Sequence, residues 1–355
     1  MSKWMQCTSP LIRAETKQLV QAKDGHWYNK PIFLPRSTYD EWQRKGLEYQ
    51  QKEIERRELI KAEPIGCGQC LACKLNYSRD RATLLMMEKI YHEKNTVWFV
   101  TLTYTDEMLY FHTYKNKKTG QEYTGASLNV EHTQLFFKTL RDKFPKAEIC
   151  YVIAGEYGSK TMRPHYHIIL FGCPIDITKL ELWSRNEWNQ PVWRCKELEE
   201  VWEDKNLRPK RSRGMVMIGE VTWESCAYVC RYTLKKADNS RPKEWYYMQG
   251  LIPEFIHWSN HIGDQYFIEH QRDIIETDAV PIKNKKTGSL VKPPLKFYRR
   301  LGEYYPEVKE LIKEKRVESG YAQAKALITD MSMEEYRDMA NKKLKNNFKD
   351  IRRTV

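Results

Sequence analysis

The sequence predicts an α+β fold, an antiparallel sheet flanked by helices. Apolar, aromatic and β-branched runs of strand length stand at residues 97–104, 148–155, 165–171 and 215–221. Segments with apolar residues at helical spacing alternate with them in the order αβαββαβα. The two middle strands are joined by a short polar loop, too short for a crossover, and must therefore pair antiparallel. The helices are expected mostly on one side of the sheet.

Residues 1–66 read as an irregular lead-in, with Pro10, Pro31 and Pro35 followed by a charged run from Glu41 to Glu63 that suits an exposed helix. A helix is expected from Leu75 to Tyr91, where Leu75, Ala82, Leu85, Met86 and Ile90 share a face. Strand Val97–Tyr104 follows, then an exposed loop or hairpin over Tyr110–Gly125. Asn129 is placed to cap a helix through Phe144, with Glu131 and Lys138 outward and Leu135, Phe136 and Leu140 inward. Beyond the strand pair comes a Trp-rich insert with a helix at Trp193–Asp204. The basic loop Arg208–Arg213 then leads into strand Met215–Val221 and a helix starting near Trp223. Past residue 240, cations and prolines gather at Lys283–Lys286 and Lys292–Arg300, and Glu307–Val355 reads as charged, exposed helices. The expected division is therefore 1–66, 67–240 and 241–355.

The run His165-Tyr166-His167 carries the clearest chemistry. Side chains alternate along a strand, so both imidazoles point one way and Tyr166 the other. Two imidazoles on a stiff strand are half of a metal site; two surface histidines on an edge strand are the plain alternative. Glu156 ends the preceding strand, and Gly155, Gly158 and the polar run to Arg163 break it. Antiparallel pairing brings that carboxylate near the histidines, a donor set suited to Mg2+ or Mn2+; otherwise Glu156 is an ordinary turn residue. Asp106 is the next candidate carboxylate. Tyr228 and Tyr232, four apart, share a helix face, each with a cation three residues on, Arg231 and Lys235. Nearby positive charge favours the nucleophilic phenolate, whereas buried aromatics of an amphipathic stripe need no such role.

Cys67, Cys70 and Cys73 form two successive Cys-x2-Cys spacings. Tetrahedral zinc requires a fourth ligand, for which Cys7 is the candidate; reduced thiols capping the next helix are the other reading. Nine cysteines, an odd number, without the apolar core of a signal peptide suit reduced thiols. No apolar run approaches membrane-spanning length. A net charge of +13 favours a polyanionic partner, and Lys210, Arg211, Arg213 and Lys236 are candidate phosphate contacts.

Taken in order, these motifs resemble the HUH endonucleases. They resemble most the rolling-circle replication initiators of small single-stranded DNA phages, the microviruses and their gokushovirus-like group. The resemblance covers roughly residues 64–240 and rests on the Cys67–Cys73 run, Gly155–Gly158, Arg163–His167 and Tyr228–Lys236. It implies a ferredoxin- or RRM-like HUH core over 67–240 and metal-dependent nicking and joining of the origin strand. It further implies a 5′-phosphotyrosine on Tyr228 or Tyr232, with Arg231 and Lys235 supporting the chemistry. The implied partners are the single-stranded origin and the host polymerase and helicase, in a bacterial cytoplasm. HUH transposases and relaxases share the constellation, and a non-catalytic nucleic-acid-binding module remains a third reading.

Overall fold

The computed structural model describes residues 7, 9–23, 25, 27–92, 96–186, 189–235, 241–283, 288–327, 335, 339 and 342. The chain divides into two compact units, one holding residues 78–316 and the other residues 3–77 together with 317–355.

The N-terminal unit is more regular than the sequence suggested. Strands β1 (Leu11–Gln21), β2 (Trp27–Leu34) and β3 (Leu59–Ile65) form an antiparallel sheet in the order β2-β1-β3, with helices α1 (Arg36–Lys45) and α2 (Leu47–Arg56) between β2 and β3. The expected irregular lead-in is thus a folded sheet. Ile12 and Ala14 alternate with charged residues along β1, and that period-two pattern buries one face while leaving Arg13 and Glu15 outside. The charged run 41–63 is two short helices and a strand, because Gly46 takes a left-handed φ of 87° and ends α1.

Helix α3 (Leu71–Lys89) leads into the larger unit. Its strands are β4 (Trp98–Leu102), a hairpin of β5 (Phe111–Lys115) and β6 (Glu122–Ala126), β7 (Cys150–Tyr157), β8 (Pro164–Phe171), β9 (Leu180–Arg185), β10 (Pro191–Cys195), the short β11 (Glu203–Asp204) and β12 (Arg211–Ser212), β13 (Val216–Glu220), β14 (Phe255–Trp258), β15 (Val280–Lys283) and β16 (Gly288–Val291). Its helices are α4 (Val130–Lys143), α5 (Lys196–Val201), α6 (Trp223–Lys235), α7 (Lys243–Tyr247), α8 (Asp264–Thr277) and α9 (Leu295–Tyr304); α10 (Pro306–Leu327) begins within it. Seven strands make one sheet in the order β14-β7-β8-β4-β13-β10-β9, every neighbouring pair antiparallel.

Helices cover both faces of this sheet, not mostly one as the sequence suggested. On one face Val100, Tyr166, Ile168, Leu170 and Ile218 pack against Phe136, Phe137 and Leu140 of α4 and Leu198 and Val201 of α5. On the other, Val152, Ala154, Ile169 and Phe171 meet Leu84 and Leu85 of α3, Cys226 and Val229 of α6, and Phe267 and Phe297 of α8 and α9. Each inward Leu, Ile or Phe buried this way stabilises the fold by ~1.5–3 kcal/mol. Both faces can be covered because the central strands are apolar at nearly every position, as in Ile168–Phe171.

Other boundaries shift for similar reasons. Residues 241–316 are not a detached extension: β14 extends the sheet by pairing with β7, and α8 and α9 complete one core. Gly155, expected as a breaker, lies inside β7. A Cβ there would come within 2.9 Å of the Phe255 ring, so the glycine makes room for β14. Of the expected helix Trp193–Asp204 only residues 196–201 are helical. On α4, Leu135 points to solvent although Asn129 caps the helix as expected, its side chain accepting from the His132 amide.

Candidate metal and nucleophile site

The β7–β8 hairpin positions the ligands. Its register sets Glu156 opposite His165 and Ala154 opposite His167, and β4 sets Thr101 opposite His167 on the other side. Glu156, His165 and His167 therefore rise from one face of the sheet, with Tyr166 buried on the other. Glu156 Oε1 lies 3.0 Å from His165 Nε2 and 2.8 Å from His167 Nε2. All three donor groups fall within 4.8 Å of one another. Glu156 is only 2% exposed, while the histidine side chains keep 21% and 12% of their surface.

The hydrogen bonds behind the ligands orient them. His165 Nδ1 is 3.1 Å from the Arg163 carbonyl oxygen. A carbonyl only accepts, so Nδ1 carries the proton and the Nε2 lone pair of the neutral ring faces the Glu156 carboxylate. A lone pair against a buried anionic oxygen is repulsive unless a cation lies between them or the ring is protonated. The donor set thus fits a divalent cation, with carboxylate and imidazole suited to Mn2+ and Mg2+ and few enough protein ligands to leave positions open. His167 Nδ1 contacts Thr101 Oγ1 at 3.0 Å, and its ring stacks on Phe99 at a centroid distance of 5.5 Å and an angle of 5°. Such outer partners hold ligand rings in place.

Tyr228 reaches the same oxygen. Its hydroxyl donates to Glu156 Oε1 at 3.0 Å and lies 3.4 Å from His167 Nε2. Helix α6 starts in a reciprocal cap: the Ser225 amide donates to Thr222 Oγ1 and the Thr222 amide to Ser225 Oγ. Cys226, Val229 and Cys230 are fully buried, which turns Tyr228 toward the histidines. Arg231, one turn on, is half-buried, and that burial pulls its pKa down while the nearby Tyr228 opposes the shift.

The opposite face anchors Tyr166. Arg213 Nη1 is 3.1 Å from His132 Nε2, and an arginine only donates, so His132 Nδ1 bears the proton and donates to Tyr104 Oη at 2.9 Å. Tyr104 in turn meets the Tyr166 hydroxyl at 3.0 Å, which donates to the Asn129 carbonyl. Burial, reinforced by Arg213, pushes His132 down to about 4, so it is neutral in this chain. The residue between the two histidines is thereby tied to the cap of α4.

In the N-terminal unit, Cys7, Cys67, Cys70 and Cys73 bring their sulfurs within 4.8 Å of one another, with Cys7 and Cys70 at 3.7 Å. The thiols are free, and backbone amides point at the sulfurs: Cys67 N and Ser9 N at Cys7, Cys70 N at Cys67. The Cys70 contact and burial push the Cys7 thiol up to about 11, and Cys73 is raised further by Cys7 and Cys70. Four crowded sulfurs resist ionising together, which is the environment a bound cation reverses.

The family model for replication-associated protein ORF2 matches residues 97–237. The replication-associated protein ORF2 of Spiroplasma virus 4 is 31% identical over 300 residues, covering 82% of this chain and 86% of that protein. This chain belongs to the replication-associated proteins of single-stranded DNA phages. Two further family members are VP4 of Bdellovibrio phage phiMH2K, 29% identical over 199 residues and 53% of each chain, and ORF4 of Chlamydia phage 1. The latter is 27% identical over 236 residues, 63% of this chain and 51% of that protein, so this chain spans about half the length of these two. No solved structure matches.

The remaining candidates in this replication-associated protein divide. Lys210 and Arg211 are exposed. Arg213 is not a phosphate contact: it is 6% exposed, pairs with Asp204 at 3.1 Å and supports His132. Asp106 pairs with Arg163 and stays outside the ligand cluster. Tyr232 and Lys235 lie on α6, but their side chains, and all of Lys236, fall outside the described residues. Thr101 and Phe99 were missed as site residues, although their alternation in a strand one place from the histidines was the available signal. Among the described residues no helix is long and apolar enough to cross a membrane.

Proposed function

We propose that this protein nicks and rejoins single-stranded DNA at the phage origin, starting and ending rolling-circle replication, with an HUH-type site and Tyr228 as a nucleophile. The observation that carries this is the meeting of the Tyr228 hydroxyl with both histidines on one buried carboxylate oxygen, Glu156 Oε1. A Mg2+ or Mn2+ ion held by Glu156, His165 and His167 supplies charge neutralisation at the scissile phosphate. Tyr228 Oη attacks phosphorus as its proton leaves toward Glu156 Oε1, the P–O3′ bond breaks, and a 3′-hydroxyl departs. The 5′ end stays on the tyrosine, and attack by a 3′-hydroxyl reverses the step and joins the strand.

Tyr232 is the second nucleophile in this reading. Lys235 balances the phosphotyrosine's charge or protonates the leaving oxygen, and Arg231 adds positive field. Lys210, Arg211 and Lys236 meet phosphates. The host polymerase and helicase extend and unwind from the nick in the bacterial cytoplasm. Cys7, Cys67, Cys70 and Cys73 hold a structural Zn2+, consistent with their crowding and amide contacts. The test uses end-labelled single-stranded oligonucleotides tiling the genome that encodes the protein, with MnCl2. One oligonucleotide should be cut and left covalently attached to the protein. Binding without cutting across the whole set would leave only the non-catalytic reading.

A further inference from the structure

Strand β3 covers only part of β1. Its partners run from Leu11 to Thr16, whereas β2 continues to pair as far as Gln21. Residues 17–30 therefore leave the three-stranded sheet as a two-stranded ribbon, set off by a register shift between Glu15 and Leu19. Lys17, Leu19, Gln21, Lys23, Trp27, Tyr28 and Lys30 are all exposed along it. Trp27 is 63% exposed, Leu19 59% and Tyr28 42%. The pairings Leu19 with Asn29 and Gln21 with Trp27 set Trp27 and Leu19 on one face, and Tyr28 turns to the other.

Large aromatic rings held out on a narrow ribbon mark a binding surface, since isolated folding gives no reason to expose them together. The charge indicates the partner. Lys17, Lys23 and Lys30 stand along the same stretch, whose one acidic residue is Asp24. An apolar protein partner does not explain three lysines around Trp27 and Tyr28, whereas a polyanion carrying flat rings does. We propose that this ribbon is a second DNA-binding site, distinct from the metal and nucleophile cluster, in which Trp27 and Tyr28 stack on unpaired bases and the lysines meet phosphates. It rests on the reading of this protein as one that acts on DNA. A two-stranded ribbon also fits the ~12 Å-wide major groove of duplex DNA, so the test compares the two forms.

The full-length Tyr228→Phe protein, which keeps DNA uncut, is titrated with a fluorescein-labelled mixed-sequence single strand and with its duplex, and anisotropy is read. Adding Trp27→Ala should weaken single-strand binding about tenfold, equivalent to ~1.4 kcal/mol, and leave the duplex nearly unchanged. Trp27→Phe should retain most of the affinity, with circular dichroism showing the same melting for all variants. Lys17→Ala with Lys30→Ala should lower the slope of log affinity against log salt by ~1.4, which is about 0.7 for each phosphate left unneutralised. Unchanged affinity and slope would overturn the proposal, as would an equal loss on duplex. So would a fall in sedimenting mass with Trp27→Ala while DNA binding holds, since the surface would then belong to a second copy. A protein that never cuts DNA yet shows the Trp27 effect would count against the nickase and support the ribbon.

Discussion

Replacing Glu156 with Gln tests the site at its centre. The substitution keeps shape and removes one negative charge from a side chain only 2% exposed, at the oxygen shared by His165, His167 and Tyr228. Loss of an outer-sphere partner costs a metal site ~10–100-fold in affinity, so loss of an anionic ligand should cost at least ~100-fold. At a Mn2+ concentration ~100 times the parent Kd, binding stabilises the parent by ~2.7 kcal/mol and the variant by only ~0.4 kcal/mol. For a unit of this length, ~2–4 °C of Tm accompanies each kcal/mol. MnCl2 should therefore raise the parent's Tm by ~5–11 °C and the variant's by ~1 °C. The metal-free variant should be no less stable than the metal-free parent, because a buried charge facing a lone pair has been removed. Differential scanning fluorimetry with and without MnCl2 measures both. Equal Mn2+ shifts in the two proteins would place the ion elsewhere and refute the three-ligand site.

Of Tyr228→Phe and Tyr232→Phe, one should abolish the first cut and the other should allow nicking but block circle release. A covalent adduct persisting in the double variant, seen on a denaturing gel, would move the nucleophile elsewhere. Cys70→Ser should lower bound zinc from about one per chain and reduce the melting temperature, since structural zinc contributes folding energy directly; elemental analysis finding no zinc in the parent would remove the cluster's role. Burial raises Asp80 from 3.8 to about 6, opposed by the Leu295 amide it accepts from. The folded chain therefore holds that proton more tightly than the unfolded chain. The resulting stability is full below pH 3.8 and is lost as pH rises through about 6. Asp80→Asn keeps an oxygen for Leu295 and should be more stable by up to ~3 kcal/mol above pH 6, the advantage vanishing toward pH 4; denaturant unfolding that shows no pH-dependent difference would contradict this.

Much of the site was legible because it depends on short-range rules. Alternation placed His165 and His167 together, and the short loop to Arg163 made a hairpin that brought Glu156 opposite. Asn129 and the strands around it followed from capping and composition. Long-range pairing was not legible. Nothing local in Phe255–Trp258 says that it joins the edge of β7, and nothing in Leu11–Gln21 says that its charged alternate residues belong to a strand with one buried face. A cation's charge also does not reveal its surroundings. Arg213 reads like its neighbours Lys210 and Arg211, yet it is folded inward to hold Asp204 and His132.

Helix α6 has its back locked into the core by Cys226, Val229 and Cys230, and its first turn is closed by Thr222 and Ser225. Tyr228 is thus fixed to a stiff element facing ligands on an equally stiff sheet. Neither side has room to swing toward a phosphate, so the compliant member of the reaction is the DNA. A duplex resists sharp bending over ~150 base pairs, whereas an unpaired strand can be kinked at one linkage to present its phosphorus in line with a stationary oxygen. The same rigidity that readies the tyrosine therefore acts as a filter: melted or single-stranded DNA can conform to the site, and intact helix cannot.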